Sequence, residues 1–118
     1  MANPLLPLIA SAVLIGLAAC STPELPEQVE RPANELYDEA LQLAKSGEPD
    51  KAAPKFEEVE RQHPYSDLAV RAQIMAAWAF YQSNDYPRAV ASLERFIELN
   101  PADPMVEYAH YLRALSYY

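Results

Sequence analysis

From Pro32 onward, apolar residues recur every three or four positions, the spacing of one helix face, and short polar or proline-bearing stretches break the pattern. The first block runs from about Pro32 to Lys45 and a second from about Asp50 to Gln62. Ser66 is placed to cap a third, ending near Gln82; Ser83-Asn84-Asp85-Tyr86 turns the chain. A fourth block follows from about Pro87 to Leu99, where proline suits a first helical turn because its missing N–H is harmless there. Pro101 stops that block, since proline disfavours helix in the residue before it, and Asp103-Pro104 reads as a cap and first turn for a last helix reaching Tyr118. Pro54 falls past the first turn of its block, so a late helix start or a local kink is expected there.

The blocks repeat with an offset of 37 residues. Gly47 pairs with Asn84, Ala52 with Ala89, Phe56 with Leu93, Val59 with Phe96 and Pro64 with Pro101. A partial third copy follows: Ala72 pairs with Ala109, Met75 with Leu112, Ala77 with Ala114 and Trp78 with Leu115. Self-similarity at this length marks stacked supersecondary units. The two Pro-containing stretches, Arg61–Ser66 and Leu99–Pro104, then become the joints between helical hairpins.

The pattern resembles the tetratricopeptide repeat. That resemblance implies an all-α fold of helical hairpins stacked as a right-handed solenoid, broken off in the third repeat. It places a small residue at each helix crossing (Ala40, Ala77, Ala114), another at the start of each second helix (Ala52, Ala89) and a bulky filler four residues later (Phe56, Leu93). The usual repeat has about 34 residues; here the extra length falls in the joint and the start of the first helix. The usual tryptophan and glycine of the first helix are absent.

The first twenty residues change the picture. Met1–Cys20 carries no charged side chain, and its apolar run is too short to span a bilayer comfortably. It fits a secretory leader. Leu17-Ala18-Ala19-Cys20 resembles the lipobox of bacterial lipoproteins, which implies cleavage before Cys20, a diacylglycerol on its thiol and an acyl chain on the new amino terminus. No other cofactor is expected. Ser21 after the cysteine implies, by the same resemblance, release to the outer membrane. Three prolines in Ser21–Pro32 suggest an extended tether. The expected organisation is a leader over 1–19, lipidated Cys20 and tether over 20–32, repeats over 33–69 and 70–106, and a partial repeat over 107–118.

Composition narrows the partners. With a formal charge of −8 and a pI near 4.6, the chain repels phosphate backbones, so nucleic acid is an unsuitable partner. Glycine is nearly absent after residue 20, which disfavours an all-β fold. The lone Cys20 has no internal disulfide partner. His63 and His110 form no metal pair, and no nucleophile elbow or phosphate-binding loop is present, so an enzyme is not expected. Glu57, Glu58 and Glu60 read as a solvated face.

A closer likeness rests on Arg31-Pro-Ala-Asn-Glu-Leu-Tyr37, Phe56–Ser66, Arg71–Ala77 and Tyr111–Tyr118, above all on His63-Pro64-Tyr65-Ser66. With the lipobox and the tether, these stretches resemble the BamD family, lipoproteins of the outer-membrane β-barrel assembly machine. The family holds more repeats, so the chain corresponds to an N-terminal part of it. The resemblance implies a lipid-anchored adaptor on the periplasmic face of the outer membrane, held in its inner leaflet. Its implied partners are unfolded outer-membrane β-barrel proteins and other subunits of that machine. Transferred groove positions are Asn34, Tyr37 and Leu41; Arg71, Ile74, Trp78 and Tyr81; and Tyr108, Tyr111, Leu115 and Tyr118. Each set shares one helix face. The aromatics offer contact area and Arg71 a carboxylate-binding fork. These rings equally suit inter-repeat core. A different tetratricopeptide lipoprotein, a pilotin-like assembly factor or a cell-wall scaffold, fits the same residues.

Overall fold

The computed structural model describes residues 29–118. The leader, Cys20 and most of the tether lie outside the described residues. Five helices follow one another: α1 (Ala33–Lys45), α2 (Pro49–Gln62), α3 (Asp67–Gln82), α4 (Tyr86–Leu99) and α5 (Val106–Leu115). Each packs on the next, and α1 also touches α3, the arrangement of tetratricopeptide-like hairpins laid side by side.

The 37-residue offset is reproduced bond for bond. At the first hairpin turn Gly47 N–H donates to the Ala44 carbonyl and Glu48 N–H to that of Leu43; at the second, Asn84 donates to Tyr81 and Asp85 to Phe80. Both are Schellman closures, which need a left-handed residue after the helix. Gly47 (φ 78°) and Asn84 (φ 62°) supply it. A side chain at Gly47 meets no atom within 4 Å, so only the backbone opposes one. Gly47→Ala is therefore expected to lower stability by about 1 kcal/mol, and Gly47→Asn by less, in urea titrations.

The joints repeat as well. His63 (φ −132°, ψ 60°) and Asn100 (φ −129°, ψ 53°) adopt the same non-helical conformation before their prolines. Ser66 Oγ then accepts the Leu68 N–H at 3.1 Å. Asp103 Oδ1 accepts the Met105 N–H at 2.8 Å, 37 residues later. The cap expected at Asp103 is thus present, but α5 starts only at Val106, because Pro101–Met105 make two further turns first.

Pro54 does not delay its helix. α2 begins at Pro49, inside which Pro54 sits. The carbonyl four residues back belongs to exposed Asp50, so the missing N–H strands no buried acceptor.

Alanine lets the helices approach closely. Ala40, Ala52, Ala53, Ala72, Ala77 and Ala89 are fully buried. One core gathers Leu36, Phe56, Val59 and Phe80; a second gathers Ile74, Leu93, Phe96 and Leu112. Met75, Trp78 and Tyr81 pack against both. Ala114, expected at a third crossing, is exposed, because none of the five described helices packs over it.

A candidate peptide-binding cleft

The residues transferred to the groove separate into three groups. Tyr37, Arg71 and Ile74 come together around a cleft of about 270 Å³, completed by Val70, Met75, Phe96, Asp103 and Met105. Helix α3 supplies one wall, with Val70, Ile74 and Arg71 on adjacent turns. Tyr37 closes it from α1, its ring held edge-on against buried Phe56 at 5.5 Å and 66°. Met105 reaches it from the joint that Asp103 caps.

Trp78 and Tyr81, in the second group, lie deeper. Both are half-buried in the seam between the two cores, so packing is their first task. The edge-on contact of Tyr81 with Tyr86, centroids 5.7 Å apart, adds to that role.

The third group stays at the surface. Asn34 is exposed on α1 and does not line the cleft, a departure from the transferred groove. Tyr111 is 61% exposed on α5, while Tyr108 beside it is half-buried against the second core. Burial, then the neighbouring phenols of Tyr111 and Tyr81, push the Tyr108 hydroxyl above its ordinary value. It therefore stays a neutral hydrogen-bonding group at physiological pH.

The cleft pairs an apolar floor with opposite charges at its rim. No ion pair among the described residues involves Arg71, which is exposed. Asp103 keeps one carboxylate oxygen engaged by its own cap. A free guanidinium and a carboxylate together complement a peptide main chain, which offers both acceptors and N–H donors. The volume falls below the roughly 300–1,000 Å³ of small-molecule sites, and suits one or two side chains of a larger ligand. Val70, Met75, Phe96, Asp103 and Met105 were not among the transferred positions. Val70, four residues before Ile74, and Met75, four after Arg71, carry a local helical-spacing signal; Phe96, Asp103 and Met105 come from other segments. Among the described residues no cluster of three or more His, Cys, Asp or Glu has metal-binding geometry.

The fold and cleft define a class: a tandem helical-hairpin scaffold with an apolar, charge-rimmed cleft on its first-helix side. A family model described as outer membrane lipoprotein (YfiO) matches residues 29–118, and the chain belongs to that family. Among curated relatives, the outer membrane protein assembly factor BamD of Caulobacter vibrioides is 36% identical over 120 residues, covering 98% of this chain and 39% of that protein. BamD of Rickettsia prowazekii is 34% identical over 113 residues, 94% of this chain and 45% of that one. BamD of Vibrio cholerae is 29% identical over 110 residues, 93% and 44% respectively. The chain thus spans about two-fifths of the length of these relatives. No described helix is long and apolar enough to cross a membrane.

Proposed function

We propose that this chain is the substrate-facing part of a lipid-anchored adaptor in outer membrane protein assembly. Cys20 carries the diacylglycerol and N-acyl chains that hold it in the periplasmic leaflet, and the tether Ser21–Pro32 spaces the helices from the lipid. The helical hairpins take up extended segments of unfolded outer-membrane β-barrel proteins and work beside other subunits of the assembly machine. The work is binding and presentation, without chemistry on the ligand.

The observation that carries this reading is Arg71, in no ion pair among the described residues, beside the cleft of Tyr37, Ile74 and Met75, in a chain that aligns with outer membrane lipoproteins. The names of the relatives support the setting. An apolar or aromatic side chain enters the cleft, while Arg71 takes the carboxylate of a chain end or an acidic residue.

Titrating a peptide with a C-terminal aromatic residue tests it. Arg71→Ala is expected to weaken binding at least about fivefold, the loss of one charge-assisted contact, while the melting temperature stays within about 2 °C. Equal affinity for both proteins refutes the assignment of the cleft. Affinity capture from membranes that recovers a secretin and no assembly subunit refutes the wider reading.

A further inference from the structure

The residues just before α1 are not free. Gln62, the last residue of α2, accepts the Arg31 N–H on Oε1 at 3.0 Å. His63 donates from Nε2 to the Arg31 carbonyl, while its Nδ1 lies 3.8 Å from Glu30. Both backbone groups of one residue are therefore held from a point 31 and 32 positions away. The clamp is itself braced, because the Gln62 amide nitrogen donates to Glu58. The Arg31 side chain reaches Glu39 at 2.6 Å, and Lys55 of α2 meets the same carboxylate at 2.8 Å. These two hydrogen bonds, from Lys55 and then Arg31, hold the Glu39 carboxyl below its usual range.

Helix α1 needs such help. Its cap position is Pro32, which offers no side-chain acceptor to the first turn. The hairpin turn at Gly47 ties only the far end of α1 to α2. The near end carries Tyr37, one turn in, which walls the cleft.

We propose that Glu30–Pro32 is a strap, and that Gln62 and His63 use it to hold the first turn of α1, and with it Tyr37, in place. The entry of Glu30–Pro32 into α1 is thereby fixed, and a displacement of these residues reaches the cleft through Tyr37. Only this last consequence rests on the proposed function of the cleft.

Residue-resolved hydrogen exchange on the full chain in detergent tests the strap without any ligand. Gln62→Ala/His63→Ala is expected to speed exchange of the Leu36 and Tyr37 amides about tenfold, with α3 and α4 unchanged. Arg31→Pro, which deletes the clamped N–H, speeds the same amides more modestly. Arg31→Ala keeps both backbone contacts and leaves the Leu36 and Tyr37 amides nearer wild type than the double variant does. Unaltered exchange at Leu36 and Tyr37 in both the double variant and Arg31→Pro overturns the proposal. So does an equal rise across all helices, which marks a general loss of stability. Should the double variant fail to fold, Arg31→Pro against Arg31→Ala decides the matter by the same comparison.

Discussion

Phe56→Ala is expected to destabilise the helical stack by about 3–5 kcal/mol, the range for deleting a buried aromatic ring. Phe56 is fully buried, lies at the heart of the first core and supports the Tyr37 ring edge-on. The elements around it, α1 to α3, are fixed to one another by their turns and cannot collapse into the space. A domain of this size has about 5–15 kcal/mol of stability in all, so a drop of more than about 10 °C in melting temperature follows. Phe56→Leu installs the residue found 37 positions later at buried Leu93, and is expected to lose only about 1 kcal/mol. Thermal unfolding followed by circular dichroism checks both. A shift under about 4 °C for Phe56→Ala means that the ring is not a structural filler.

Ala77→Leu is expected to lose about 1–3 kcal/mol by overpacking. Ala77 is fully buried within the second core, where Leu93 and Phe96 of α4 and Leu112 of α5 leave no room for three more carbons. Ala114 has the same place in the register but is exposed, so Ala114→Leu is expected to stay within about 0.5 kcal/mol. The pair isolates context from composition, since both proteins gain the same atoms. Urea titration measures it, and equal losses at the two positions contradict the helix-crossing role of Ala77.

Much of the scaffold was legible because it is local and repeated. The Gly47/Asn84 pairing rests on short-range backbone demands, and the structure returns it as two left-handed residues in matching closures. Helix limits came within a few residues for the same reason. Two local expectations failed through neighbours. Pro54 suggests a late helix start, yet α2 begins five residues before it, and the carbonyl it leaves without an N–H belongs to exposed Asp50. Asp103-Pro104 suggests the start of a helix, yet further turns put off the regular ladder to Val106.

The cleft was legible only in part. Periodicity tells which face of a helix a residue occupies, not how deep it lies once a neighbour is laid against it. Ile74, Trp78 and Tyr81 share a face, but only Ile74 lines the cleft, while Trp78 and Tyr81 fill the seam. Met105 and Phe96 arrive from other elements, which no spacing along α3 announces. The clamp on Arg31 was invisible for the same reason. Gln62 and His63 belong to the Phe56–Ser66 motif, but their partner Arg31 lies a whole hairpin away, in a proline-bearing stretch whose composition suggests a tether.

Met75, Trp78 and Tyr81 each belong to two neighbourhoods at once. In a linear array, the free energy shared between adjacent units decides whether they melt singly or as a block. Side chains common to both units make that shared part large. The five described helices are therefore expected to unfold in one concerted transition, with no half-folded state populated by heat or denaturant.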